Sequence, residues 1–306
     1  MTDILIIGGG PAGLTAALYA LRSGKTARIV EKSGFGGQIA SSPKVENYPG
    51  VPAAPGAEIA DKMLSQVLDL GGEIEVGEVT RVEPFEGGFA ALTAEGDRFE
   101  GAALILAPGV KHRHLGLVNE EALAGNGVCY CAVCDGDFYR GREVVMVGGG
   151  NSALQESLLL ADVASHLTVV QNLDFFTGEA PLAAALLRRE NVRVIFGAVV
   201  TALNEENGAL CGCEILHSAG GRTETLAADG LFVSIGLEPQ NGAFANLCAL
   251  DEAGYFAADE TCLTKTPGVF VAGDCRRKGV RQVTTAVADG ATAALAALKY
   301  LRAREG

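Results

Sequence analysis

The sequence predicts an α/β protein made of two Rossmann-like nucleotide-binding domains, the second inserted in the first. Three observations lead there. The chain opens on an apolar strand, a glycine turn, a helix and a second strand ending in an acid. The same pattern returns at an offset of 140 residues. Between the two copies lies a Cys-x-x-Cys pair, Cys131 and Cys134, with Asp135 directly after it.

Residues 3–7 read as the first strand. Gly8, Gly10, Pro11, Ala12 and Gly13 shape the turn, residues 14–23 a helix, and residues 27–30 a strand ending at Glu31, next to Lys32. This is the dinucleotide fingerprint in its full context. The glycines permit the tight turn and the approach of a pyrophosphate, the helix N-terminus faces the phosphates, and Glu31 accepts from a ribose hydroxyl. The Gly/Pro-rich stretches 35–38 and 45–50 hold Gly36, Gly37, Gln38 and Asn47. Alone they are loops; after a first βαβ unit they suit the length of an extended cofactor. Residues 56–70 have helical amphipathic spacing, and 72–101 short strands with turns. A buried strand over 104–107 runs through Ala107 into Pro108 and Gly109, and the first crossing between domains follows.

In the second copy Gly148, Gly149, Gly150, Asn151, Ser152 and Ala153 match residues 8–13 without a gap, with Ala153 in place of the third glycine. Residues 167–171 match 27–31, so Gln171 stands where Glu31 does. Two bound dinucleotides are expected; the alternative is a second unit kept only as scaffold. A helix over 179–190, a strand over 192–196 and strands with turns over 199–234 follow. The chain returns through the Gly/Pro turn of 233–239. Residues 268–274 form a short buried strand ending in Gly273 and Asp274. The glycine allows close backbone approach, and the carboxylate suits polyol or ribityl hydroxyls. Arg281, Gln282 and Val283 lead into an Ala-rich helix to about residue 301. Its N-terminus suits the electron-rich pyrimidine edge of a flavin.

Two thiols spaced like Cys131 and Cys134 close a small, reducible disulfide, and Asp135 can exchange the proton that thiol chemistry needs. Half of a zinc site looks the same, but a second ligand pair is missing. Cys211 and Cys213, with one residue between them, are poorly spaced for a tetrahedral site. Redox chemistry without a metal is therefore expected. Eight scattered cysteines in 306 residues fit a reducing cytosol with one working pair. Cys129, Cys211, Cys213, Cys248, Cys262 and Cys275 read as packed or free thiols. A net charge of −13 with no basic run argues against nucleic acid and anionic membranes. No apolar run is long enough for a membrane span, and the N-terminus reads as a strand and not a signal peptide. His112 and His114 read as exposed polar residues at the crossing, Tyr130 as packing, and Asp137 as a weaker second acid. His166 and His217 receive no role.

On the glycine turns, Gly36-Gly37-Gln38, residues 45–50 (Val-Glu-Asn-Tyr-Pro-Gly), Cys131 to Gly136, Gly273-Asp274 and Arg281-Gln282, the chain resembles the two-domain, low-molecular-weight thioredoxin reductases of the flavin disulfide reductase superfamily. The resemblance covers nearly the whole length. It implies three-layer ββα domains: an FAD domain over 1–112 and 244–306, and a pyridine-nucleotide domain carrying the CxxC over 113–243. It also implies a homodimer, a large domain rotation and a thioredoxin-like partner. Cys134 would face the flavin, Cys131 would attack the substrate disulfide, and Asp135 would protonate the departing thiolate. Relatives that use NADPH carry His-Arg-Arg-x-x-x-Arg after the second unit's second strand. Here Asn172, Leu173 and Thr177 replace the three arginines. The donor is then NADH or NADPH, or alternatively reduced ferredoxin. A flavin-dependent dithiol oxidase using O₂ and a non-enzymatic redox sensor are the competing functions.

Overall fold

The structure is a computed structural model that describes residues 1–41, 45, 47–52 and 54–305, apart from the side chains of Ser41, Cys134 and Glu305. The chain divides into two compact units, Met1–Lys111 with Glu238–Gly306, and His112–Leu237. The return at Glu238 comes ahead of residue 244, where the sequence reading put it.

The first unit begins with β1 (Thr2–Ile7), α1 (Pro11–Arg22) and β2 (Ala27–Glu31). It continues through α2 (Gly56–Asp69), β3 (Glu73–Val76), β4 (Val79–Phe85), β5 (Gly88–Thr93), β6 (Arg98–Leu106) and β7 (Val110–His112). The second unit holds α3 (Glu120–Leu123), β8 (Val128–Cys129), α4 (Ala132–Asp135), β9 (Glu143–Val147), α5 (Asn151–Val163), β10 (His166–Gln171), α6 (Ala180–Leu187) and β11 (Val192–Phe196). Then come β12 (Ala198–Glu206), β13 (Ala209–His217), β14 (Thr223–Ala227), β15 (Gly230–Val233) and β16 (Leu237–Pro239). The return adds β17 (Val269–Val271) and α7 (Val283–Glu305).

The first unit's sheet runs β3-β2-β1-β6-β5-β4, with β17 also on β6. The long β6 serves two neighbourhoods. Its end lies parallel to β1 and β17, and its start pairs antiparallel with β5. Side chains alternate between two buried faces, as a covered parallel sheet requires. Ile4, Ile6, Ile29 and Ile105 pack with Leu14, Ala294 and Leu298 of α1 and α7. Leu5, Ile7, Val30 and Leu104 face Phe244, Phe256 and Val82 instead. Each such aliphatic side chain contributes about 1.5–3 kcal/mol on burial.

The second unit repeats the plan. A parallel sheet β11-β10-β9-β15-β8 lies between two layers. Val145, Val147, Val170 and Leu231 pack on Leu203, Cys213 and Ile215 of the antiparallel sheet β12-β13-β14. Val144, Met146, Val169 and Phe232 pack on Leu154, Leu160 and Leu186 of α5 and α6. The expected α/β class, two Rossmann-like units with ββα layers, is the fold observed.

Two helices differ in length from the expectation. α6 stops at Leu187 with Arg188 as its C-cap, and Asn191 beyond it donates from Nδ2 to Ala161 O (2.9 Å) and Ala164 O (3.2 Å) at the end of α5. α7 runs on to Glu305, with Arg302 and Arg304 in its last turn, where cations suit the helix dipole.

Candidate functional site

The Cys-x-x-Cys segment leaves the sheet edge at β8, which pairs with β15. Cys131 is half-buried and disulfide-bonded, whereas the six other cysteines outside the Cys-x-x-Cys pair are free. The backbone of Cys134 lies in α4; its side chain is outside the described atoms. The Asp135 amide donates to Cys131 O at 3.1 Å and closes the turn. Burial raises the Asp135 carboxyl above its ordinary range, against a hydrogen bond with Cys129. Cys129 is buried, its Sγ 3.4 Å from the Tyr139 hydroxyl, and burial pushes its thiol up to about 11. That thiol stays protonated at neutral pH, as an inert packed cysteine does.

Tyr130 does more than pack. Its hydroxyl donates to Glu120 Oε1 (2.8 Å) and lies 3.1 Å from His114 Nδ1, and its ring stacks on His114 at 4.7 Å. Glu120 is 1% exposed and also accepts from the amides of Leu115, Gly116 and Leu117. Burial pushes that carboxyl up, but these donors outweigh it and hold it below its usual range. His114 is exposed, as expected, while His112 is half-buried, and burial lowers its pKa. Asp137 is exposed and paired with Arg140. His166 opens β10 and His217 closes β13, where it meets Glu224.

In the first unit the glycines of the turn have separate causes. A Cβ on Gly8, at φ +106°, would meet Ala107 O at 2.1 Å, and one on Gly13 would meet Gly8 O at 1.9 Å. Gly10 is different. Its φ is −77°, and a Cβ there would find nothing nearer than Gly37 Cα at 3.9 Å. Among the described residues nothing forbids a side chain at Gly10; the open space in front of it is the feature. Pro11 and Ala12 begin α1, whose first turn has no side-chain cap. Glu31 reaches under the turn, accepting from Gly9 N (2.6 Å) and Ser33 N (3.1 Å). A cleft of about 540 Å³ opens here, lined by Gly8, Glu31, Lys32, Thr80, Pro108 and Phe244 among others. Burial and the neighbouring Lys111 charge lower the Lys32 ammonium.

Around the same turn, Gly36 donates from its amide to Gly9 O (2.8 Å), and Gly37 faces Gly10. Gln38 Nε2 donates to Val110 O at 2.6 Å, and Asn47 Nδ2 to Gln282 Oε1 at 3.0 Å. Glu46 lies outside the described residues. Gly109 and Gly273 have φ +69° and +86°. Asp274 Oδ1 is buried without a hydrogen-bond partner, with only Lys278 Nζ at 3.5 Å. Arg281 donates to Asp274 O (3.2 Å) and lies 4.1 Å over the Tyr255 ring, just before Val283 opens α7. Sequence reasoning missed what holds this corner. Arg276 and Lys278 meet Asp289 of α7 at 2.8 and 3.0 Å, and all three are buried. Three charges in a chain carry no signal of burial until the fold brings them together.

The second unit's turn has the same division of labour. A Cβ on Gly148 (φ +133°) would meet Ser234 O at 2.2 Å, but one on Gly150 (φ −84°) would meet only Thr177 Oγ1, at 3.7 Å. Asn151 and Ser152 open α5. Asn151 exchanges hydrogen bonds with Glu179, giving from Nδ2 (3.1 Å) and accepting from its amide (2.7 Å). Gln171 does not point out as a ribose acceptor of the kind expected. It is 4% exposed, packed under Gly149, and gives its Nε2 hydrogen to Phe175 O at 3.1 Å. Asn172, Leu173 and Thr177 are exposed. Of the nearby cations, Arg189 pairs with Asp162 and Arg193 with Glu224.

These features meet known proteins at several points. The family model for pyridine nucleotide-disulphide oxidoreductases matches residues 2–290. The thioredoxin reductase of Listeria monocytogenes is 38% identical over 299 residues, 98% of this chain and 93% of that protein. The thioredoxin reductase of Bacillus subtilis is 36% identical over 299 residues, 98% of this chain and 94% of that one. The crystal structure of Lactococcus lactis thioredoxin reductase in its FR conformation superposes with a TM-score of 0.85 at 34% identity, covering 99% of this chain and 100% of that one. That of T. acidophilum thioredoxin reductase gives 0.82 at 32% identity, with 99% of both chains covered. The chain therefore belongs to the pyridine nucleotide-disulphide oxidoreductase family, within its low-molecular-weight thioredoxin reductases.

Proposed function

We propose that the protein is an FAD-dependent thioredoxin-disulfide reductase that passes electrons through a Cys131–Cys134 disulfide to thioredoxin or a similar protein. The observation that carries this is the disulfide at Cys131, set in a turn that Asp135 closes, in a chain of this family. Bound FAD would supply a two-electron carrier able to reduce a disulfide. The first unit fits it on two counts: the open space before Gly10, and Asp274 Oδ1, buried without a hydrogen bond and with Lys278 Nζ at 3.5 Å. The residues 8–13 turn and the uncapped start of α1 would hold the pyrophosphate, and Glu31 with Lys32 the adenosine end in the cleft. Asp274 would accept from ribityl hydroxyls. Arg281, Gln282 and the start of α7 would set positive potential against the flavin's pyrimidine edge.

Cys134 serves as the thiol that takes electrons, and Cys131 as the one that attacks the partner disulfide. Asp135 retains its proton to higher pH than an ordinary carboxyl and can hand it to a leaving thiolate. Free thiols at Cys129, Cys211, Cys213, Cys248, Cys262 and Cys275 suit a reducing, cytoplasmic setting. The protein acts as a homodimer in this reading.

For the donor we infer a pyridine nucleotide, NADH before NADPH. The open space before Gly150 supports a nucleotide, because chain geometry alone does not demand glycine there. Asn172, Leu173 and Thr177 supply no cation for a 2′-phosphate. Three absent charge-assisted contacts, at about 1.5–3 kcal/mol each, weaken NADPH by orders of magnitude. The test is an anaerobic titration with NADH, NADPH and reduced ferredoxin in turn, following the flavin band, in wild type and Cys131→Ser. NADH should bleach the flavin in both proteins, and only wild type should reduce thioredoxin. Bleaching by ferredoxin alone would discard the nucleotide donor, and unimpaired turnover by Cys131→Ser would discard the disulfide relay.

A further inference from the structure

A carboxyl that this scheme leaves unused lies behind the Cys131 turn. Glu156 sits on α5, the helix that packs against α4. The Ala132 amide donates a hydrogen bond to it. That amide belongs to the peptide group directly following Cys131, so the carboxyl is an immediate neighbour of the cysteine. Its other oxygen, Oε2, is shut off from water and has no partner. A carboxyl serving only to cap a turn would have its charge satisfied by donors at both oxygens; this one has not. An ionised carboxylate is costly in such a place, and burial pushes Glu156 up to about 7 against the single opposing amide.

We propose that Glu156 is a redox-linked proton acceptor for the Cys131 disulfide, taking up a proton when reduction places a thiolate beside it. The inference rests on the reading that this disulfide is reduced in the working protein. The reductant is a dithiol or the reduced flavin. Two electrons break the S–S bond, one proton makes one sulfur a thiol, and the other sulfur remains a thiolate. A second proton converts the Glu156 carboxylate to the acid. One negative charge stands on the centre before reduction, on Glu156, and one after, on sulfur. By linkage the effect is mutual: an ionised Glu156 holds the thiol proton more tightly, and a neutral one releases it.

The titratable groups on the elements around α5 are few. Cys131, Asp135, Asp137 and Tyr139 lie on the Cys-x-x-Cys turn and its continuation, Glu143 opens β9, His166 opens β10, and α6 has none. With the disulfide closed, burial and the Ala132 amide are what shift Glu156.

The test is infrared difference spectroscopy on the holoenzyme, oxidised against dithiothreitol-reduced, at about pH 8, above the midpoint of the carboxyl. The C=O stretch of a protonated carboxyl should appear on reduction, vanish in Glu156→Gln and persist in Asp135→Asn. A second readout is the number of protons taken up on reduction in lightly buffered solution, across pH. Glu156→Gln should take up about one proton fewer than wild type at about pH 8 and the same number at about pH 5, where the native carboxyl is already neutral. Glu156→Asp, which keeps the ionisable group, should restore a pH-dependent profile and covers the case that Glu156→Gln fails to fold. No reduction-linked band, a band surviving in Glu156→Gln, or equal proton uptake by wild type and Glu156→Gln at about pH 8 would each overturn the proposal. Dithiothreitol does the reducing, so protein that shows the band but cannot reduce thioredoxin would fault the functional reading and support the role of Glu156.

Discussion

At the scale of single residues, the two glycine turns separate what the backbone needs from what a ligand needs. Gly148 is fixed by the chain, with φ +133° and the Ser234 carbonyl in the way of any Cβ. Gly150 has an ordinary φ and open space, so a methyl there should be tolerated by the fold and not by a pyrophosphate. Gly148→Ala should lower stability by more than about 1 kcal/mol. Gly150→Ala should leave the denaturation midpoint nearly unchanged while weakening NADH about tenfold or more, as read by flavin bleaching. Equal effects on stability from the two variants would mean that the second turn is only scaffold. The glycine pattern was legible in the sequence; the difference within it was not, because φ and the neighbouring carbonyl come from the fold. Gln171 shows the same limit. Its position under the turn followed from the repeat, but the direction of its amide was decided by the Phe175 carbonyl.

Single elements were legible where hydrophobic period and glycine punctuation agreed, as in β1, α1, β2 and their counterparts β9, α5 and β10. They were less so at ends that the packing of neighbours decides, as where Asn191, just past α6, ties back to the end of α5. The start of α7 is the clearest case of tertiary control. Gly273 N donates to Asp289 Oδ2 (3.0 Å), in the second turn of the helix and part of a buried network with Arg276 and Lys278. The helix thereby pulls the Gly273–Asp274 turn against its own flank. Burial raises the Asp289 carboxyl, but the hydrogen bonds from Arg276 and Lys278 outweigh it, so its folded pKa is depressed. Such a group contributes stability at and above neutral pH, and loses it as pH falls through the depressed value. Asp289→Asn leaves two buried cations short of a carboxylate. It should cost about 3–5 kcal/mol in urea unfolding at neutral pH, and the gap to wild type should narrow in acid. The purified variant should also retain less flavin, since Asp274 loses its anchor. A loss of stability that does not change with pH would contradict the ionic account.

For the whole molecule, the division into two units has a consequence that composition could not reveal. The repeat at an offset of 140 residues announced two nucleotide folds, and the returning Gly273–Asp274 segment announced that one encloses the other in sequence. It did not say whether the inner segment is complete. The structure of His112–Leu237 answers for that segment alone. Its two buried clusters, around Val145 and Leu231 and around Met146 and Phe232, draw only on residues between 115 and 235. Its ends meet: the Arg113 amide donates to Gly236 O at 3.0 Å, so excision leaves no long loop to close. Residues 112–237 expressed alone should therefore fold to a monomer with cooperative thermal unfolding and native-like near-ultraviolet dichroism. That fragment should carry a dithiothreitol-reducible disulfide at Cys131 and no flavin. A complementary chain of residues 1–111 and 238–306, joined by a short Gly/Ser linker, should bind flavin and show no reducible pair. Broad, dye-binding unfolding of the inner fragment would mean that its core is completed by the outer unit. The Cys-x-x-Cys would then belong to a module that cannot stand without its neighbour.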